Sequence, residues 1–330
     1  MFSGGVVLVA ENKKIQHVYE IGERILSEIE KAVVGKRDLL RLILAATLSS
    51  GHVLIEDIPG LGKTLIARSL AEVIGLDFKR IQFTTDLLPS DITGGYIYKQ
   101  NSGDFVLRKG PLFANVILAD EINRASPKTQ SSLLEAMQEK QITLEGETMI
   151  LPNPFVVLAT QNPIEYEGTF LLPEAQIDRF LIKVKVGYPS ESDELEILEN
   201  REKRQKDEFD LDRVTTPKKL MEASKTIEKV YVSPQIKNYI IRLVSKTREH
   251  EKVVIGSSPR GSLALLKISR AMAALNGRDH VLPDDIKELA EPTLAHRLIL
   301  KPDFWLQKDT AAEVIQDTLV DVPVPVLNKK

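Results

Sequence analysis

Ile55 to Thr64 reads IEDIPGLGKT, and the decision about the fold starts there. A phosphate-binding loop is a glycine, four free positions and then Gly-Lys-Ser/Thr. Here Gly62, Lys63 and Thr64 complete the pattern, but Asp57 fills the first glycine slot. The flanking residues argue that the loop is genuine. The apolar run HVLI before it fits a short buried strand, and LIARSLAEVIG after it has helical spacing. In a strand-loop-helix setting the backbone N–H groups and the helix N-terminus form an anion cradle, Lys63 reaches β and γ phosphates, and Thr64 offers a hydroxyl to magnesium. The cradle is expected to comprise Asp57, Pro59, Gly60, Leu61, Gly62, Lys63, Thr64 and Leu65. Asp is among the few non-glycine residues that tolerate a left-handed backbone, so the expectation is that Asp57 adopts one. Its carboxylate must then point away from a polyphosphate.

Working outward, short apolar runs alternate with helical stretches from Val53 to Val186. HVLI, VILADE, FVVLAT and LIKVKV read as buried parallel strands, giving an α/β core whose ligands bind beyond the carboxyl ends of its strands. Before the core, His17 to about Ser50 has the spacing of two helices joined at Gly35. After GYPS, at 187–190, the strand signals stop. Helix starts follow at Ser190 or Ser192, Thr216-Pro217, Ser233-Pro234, Ser258-Pro259 and near Pro283. The expected division is residues 1–188 for the first helices and α/β core, and 189–330 for a small all-α domain. Two hairpins interrupt the core: strands 95–99 and 104–108 turning at Asn101, Ser102 and Gly103, and QITLEGETMILP turning at Gly146. Such insertions often carry partner contacts. The tail VPVPVLNKK is expected to be extended.

Composition removes several classes of function. The chain has 330 residues, 43% of them hydrophobic, enough for substantial cores. With 44 basic against 47 acidic side chains the formal net charge is −3, which supplies no global pull toward nucleic acid or anionic lipid. The absence of cysteine excludes disulfides, thiolate catalysis and cysteine zinc sites, and fits a reducing cytoplasm. Histidines at 17, 52, 250, 280 and 296 lack metal-ligand spacing and read as structural or exposed. The opening MFSGGVVLVA is too short an apolar run for a signal peptide or a membrane span. A cytoplasmic protein is expected.

The chemistry concentrates downstream of the loop. VILADE sets Asp120 and Glu121 at the end of an apolar strand, where Asp120 can hold the Mg²⁺ shell while Glu121 orients and deprotonates water. FVVLAT delivers Asn162, a neutral group suited to sensing a γ-phosphate. Arg179 follows Asp178 before the last core strand, Arg260 follows Pro259 at a helix start, and Arg124 in EINRAS is a third candidate. An arginine aimed at a γ-phosphate stabilises transition-state charge.

Together LIEDIPGLGKT, ILADEINRASPKTQSSLLEAMQE, LATQNPIEYEGTFLLPEAQIDRF and GSSPRGSLALLK closely resemble the MoxR family of AAA+ ATPases, over about residues 20–300. An acidic residue before Ile-Pro-Gly looks common in that family. The resemblance implies an ATP-binding P-loop AAA+ core, a helical lid, and the hairpins as helix-2 and pre-sensor insertions. It implies Walker A roles for Lys63 and Thr64, Walker B for Asp120 and Glu121, sensor 1 for Asn162, an arginine finger at Arg179 and sensor 2 at Arg260. Gly35 matches the segment that borders adenine. A homo-oligomeric ring, in particular a hexamer, and a client with a von Willebrand A domain are also implied. Three alternatives stand beside this motor: a chelatase-type motor subunit, an ATP-gated scaffold with little turnover, which Glu121 argues against, and a DNA motor. The last needs basic hairpin tips. The first hairpin carries Lys99, Arg108 and Lys109 and the second no basic residue, so nucleic acid is disfavoured.

Overall fold

The computed structural model describes the backbone of residues 3–101, 103–163, 169–303 and 310–325, with side chains from residue 13 onward. Ser102, the segment 164–168 and the end of the tail lie outside the described residues.

Four apolar runs form the strands that their composition demands: β1 (Val53–Glu56), β5 (Val116–Asp120), β8 (Val156–Gln161) and β9 (Ile182–Val184). A fifth strand, β2 (Phe78–Gln82), joins them in a parallel sheet of order β2-β5-β8-β1-β9. The sequence FKRIQ lacks an apolar run because β2 is an edge strand, where one face stays polar. Alternation along the strands sorts the sheet into two faces. Val53, Ile55, Val116, Leu118, Val156, Leu158 and Ile182 face one core, and Leu54, Ile117, Ala119, Val157 and Ala159 the other.

The first core is continuous with the rest of the molecule. It takes in α1 (Ser3–Glu30), α2 (Arg37–Leu48) and α3 (Lys63–Ile74), and runs on into α8 (Pro217–Ile227), α9 (Pro234–Glu249), α10 (Pro259–Leu275) and α11 (Pro283–Leu294). Helix α1 lies between the sheet domain and the lid, touching α3 on one side and α8 and α10 on the other. The second core is closed by α5 (Pro127–Glu139), with Phe155 and Phe180 filling it.

The hairpins are β3 (Gly94–Lys99) with β4 (Asp104–Lys109), after the one-turn helix α4 (Pro89–Thr93), and β6 (Gln141–Leu144) with β7 (Glu147–Ile150). They touch: the Tyr96 hydroxyl donates to Glu147 Oε2 at 2.7 Å. Tyr98 and Phe105 pair across the first hairpin at 5.4 Å between centroids, and both are exposed.

Beyond the short α6 (Glu174–Ile177) and β9, the chain continues as a mainly helical region, called the lid, from α7 (Glu191–Arg204) to α12 (Ala311–Asp321). Its helices start where the capping residues stand: Ser190, Thr216 and Ser233 each accept the N–H three residues on, which satisfies a donor the helix leaves free. The lid is helical except for a ribbon of β10 (Val253–Ile255) with β11 (Ile299–Leu300), strands too short to leave a pattern in the sequence. No described helix is long and apolar enough to cross a membrane.

His52, just before β1, is a buried core residue. Its Nδ1 accepts the Val157 N–H at 3.0 Å and its Nε2 donates to Met137 O at 3.1 Å, while burial lowers its pKa to about 4.

Candidate active site

The loop after β1 turns through Gly60 and Gly62, at φ +88° and +78°, and a Cβ at either would meet nothing within 4 Å. The glycines are therefore required by backbone conformation, and the space beside them is open. Helix α3 starts at Lys63, so its unpaired N–H groups face that space. Lys63 is buried, and its Nζ donates to the Asp57 main-chain oxygen at 2.7 Å. Burial lowers its pKa, opposed by the nearby charges of Asp120, Asp57 and Glu121.

Asp57 overturns one expectation. It is absent from the positive-φ residues of the chain, so tolerance of a left-handed turn does not explain it. Its carboxylate instead accepts the N–H groups of Val186 and Gly187 at 2.8 and 2.7 Å, and that of Ile58 at 2.9 Å. Asp57 is thus a clamp between the loop and the segment leading to the lid. The side chain is engaged there, and its charge still acts on Lys63.

Two strands away, Asp120 ends β5 and Glu121 follows in a left-handed conformation, φ 55° and ψ 51°. Such strain in a non-glycine residue persists only where its surroundings fix it. The Glu121 N–H donates to Thr160 Oγ1 at 2.8 Å, and the Thr160 hydroxyl donates to Asp120 Oδ1 at 2.6 Å. Arg80 of β2 donates to Asp120 Oδ2 from Nε at 3.0 Å and Nη2 at 2.7 Å. Glu121 Oε2 accepts from Gln82 Nε2 at 2.7 Å and from Arg124 Nη1 at 3.1 Å. Asn162 follows β8 directly, half-buried, on the same edge of the sheet.

The donor set fits a magnesium nucleotide. Mg²⁺ is a hard cation usually held by one or two carboxylates together with substrate phosphates. The Asp120 carboxylate is a donor of that kind and the Thr64 hydroxyl another oxygen donor, and no group of three or more His, Cys, Asp or Glu among the described residues makes a separate metal cage.

A family model described as ATPase family associated with various cellular activities (AAA) matches residues 52–182, and an AAA lid domain model matches residues 245–318. The Bacillus subtilis protein YeaC is 50% identical over 301 residues, 91% of this chain and 94% of its own. Chaperone MoxR1 of Mycobacterium tuberculosis is 41% identical over 323 residues, 93% of this chain and 83% of its own. The chain belongs to the MoxR family of AAA+ ATPases. A crystal structure from Cytophaga hutchinsonii, of a protein assigned as an ATPase, superposes with a TM-score of 0.90 at 40% identity, covering 97% of this chain and 99% of that one. The magnesium-chelatase subunit ChlI homolog of Methanocaldococcus jannaschii is more distant, 27% identical over 57% of this chain and 51% of its own.

The remaining candidates of this MoxR-family ATPase lie elsewhere and apart from one another. Arg260 Nη1 lies 3.5 Å from Asp178 Oδ2. Arg179 Nη1 donates to Leu134 O on α5 at 2.7 Å, and its Nε is buried without a partner. Gly35, at φ +70°, is approached by the Asp193 carboxylate of α7 so closely that a Cβ would collide with it. Sequence reasoning missed four residues here. Thr160, Arg80 and Gln82 hold the paired carboxylates, and Arg297 of the lid is buried against Asp178 and donates to Phe180 O and Thr293 O, both at 2.7 Å. The alternation of Arg80 and Gln82 with Ile81 and Phe83 was the available signal for β2.

Proposed function

We propose that this ATPase is a ring-forming motor, a hexamer, that couples ATP hydrolysis to remodelling or maturation of a partner protein, a von Willebrand A domain protein by family resemblance. The placement of Arg179 carries the ring reading. In its own subunit it bonds to the α5 carbonyl, while Lys63, Asp120 and Glu121 share a different edge. An arginine in a turn, braced against the neighbouring helix α5 outside its own site, is suited to completing a neighbour's. The exposed aromatic pair on the first hairpin supports a protein client, because an unpaired apolar surface on an insertion favours protein contacts.

In this reading Lys63 and the α3 N-terminus bind the phosphates, and Thr64 and Asp120 hold magnesium, which neutralises charge on the transferring phosphoryl group. Glu121 takes the proton of the attacking water, Asn162 fixes that water, and Arg260, on the lid helix α10, senses the nucleotide and is tied to the core at Asp178. Gly35 borders the adenine.

The test mixes two inactive proteins, Arg179→Ala and Glu121→Gln. Some interfaces then unite an intact Glu121 with an intact Arg179, and partial ATPase activity returns. Persistent inactivity in rings shown to be mixed would place Arg179 in a cis or structural role.

A further inference from the structure

Arg80 and Gln82 sit on the edge strand β2, with Gln82 in register opposite Asp120. The Arg80 guanidinium does two things at once. It places Nε and Nη2 on Asp120 Oδ2, and the same Nη2 donates to Gln82 Oε1 at 2.6 Å. Because that contact occupies the amide oxygen, the Gln82 amide nitrogen is turned the other way, onto Glu121 Oε2. An ionised carboxylate has about four acceptor positions. Arg80 fills two on Asp120 and Thr160 a third. A divalent cation approaching Asp120 therefore meets a guanidinium already seated there, on a side chain half-exposed to solvent.

We propose that Arg80 is a positioning residue that stands in for the divalent cation at Asp120 until that cation arrives. This rests on the magnesium-nucleotide reading of the site. Cation binding at Asp120 repels the guanidinium. The fork geometry is essential, since a lysine ammonium is a point charge without the planar spread of donors that spans Asp120 and Gln82. The exchange lets metal and guanidinium occupy Asp120 only in turn.

The experiment titrates MgCl₂ into the full-length protein with a slowly hydrolysed fluorescent ATP analogue and reads the half-saturating Mg²⁺ concentration for nucleotide binding. Arg80→Met removes the competing charge, and half-saturation falls by about three- to tenfold, the range expected for losing a charge-assisted contact at a partly exposed site. Binding of the analogue in EDTA stays within about twofold of wild type on the same grounds. Lys79→Met, one residue away with its side chain on the opposite side of the strand, is the control for net charge and leaves half-saturation unchanged. Folding of each variant is checked by circular dichroism. An unchanged or raised half-saturation in folded Arg80→Met, or an equal drop in Lys79→Met, overturns the proposal while the reading of the site stands. Wild-type binding with no Mg²⁺ dependence overturns both.

Discussion

The two ends of the site are held in different ways. At the cradle, the Lys63 ammonium rests on a main-chain carbonyl, a neutral acceptor that it exchanges for phosphate at little cost. At the other end, Asp120 and Glu121 are gripped by Arg80, Gln82, Arg124 and Thr160, and two of these grips are ion pairs. Charge-assisted hydrogen bonds are roughly twice as strong as neutral ones. The cradle is thus ready for anions on arrival, whereas the carboxylate end must be opened. On the proposed reading, phosphate contact and proton transfer fall to different residues.

Substitutions can break that comparison. Glu121→Gln should have the largest effect, lowering turnover by about 10²- to 10⁴-fold, because the amide keeps the shape but accepts no proton. Nucleotide affinity, followed by calorimetry, should persist. Near wild-type turnover would mean that the base lies elsewhere. Lys63→Ala attacks the cradle end, and loss of its charge should weaken ATP binding by at least about a hundredfold. Equal affinity in mutant and wild type would remove Lys63 from phosphate binding.

Asp57→Ala sharpens the contrast. Its carbonyl, which holds Lys63, survives the change, but the carboxylate that caps Val186 and Gly187 does not. Stability should fall by about 1–3 kcal/mol in urea unfolding, the cost of leaving such donors unpaired. ATP affinity should stay within about threefold, a change below 1 kcal/mol. A large loss of affinity with no loss of stability would return the carboxylate to the cradle.

The smallest effect concerns the base of the sheet, remote from both ends. Burial keeps His52 neutral, with its pKa lowered to about 4. The unfolded chain protonates it near its ordinary value of about 6.5, so its contribution is full above that pH and is lost as pH falls toward 4. The slope is at most about 1.4 kcal/mol per pH unit. A His52→Gln protein should show a flatter dependence in thermal unfolding across this window, with catalytic pH dependence unmoved.

Much of the fold was legible because its signals are local. A buried strand must be apolar throughout, a helix start must satisfy its own N–H groups, and a phosphate loop needs glycines at fixed spacing. HVLI, VILADE and FVVLAT, the caps at Ser190, Thr216 and Ser233, and GLGKT each met one of those demands within a few residues. What escaped was non-local. β2 read poorly because an edge strand buries only one face. Asp57 was misread because its partners are Val186 and Gly187, far along the chain.

By itself, then, the sequence determined four strands of the parallel sheet, the helical lid, the glycine loop before α3 and the adjacent carboxylates at the end of β5, since covalent neighbours and hydrophobic period suffice for these. Only the tertiary structure decided what restrains them. Arg80 and Asp120 lie 40 positions apart, and Arg297 and Asp178 lie 119 apart. The ion pairs form because sheet register and lid docking bring those charges together in a partly desolvated place, and no local pattern in the chain encodes that encounter.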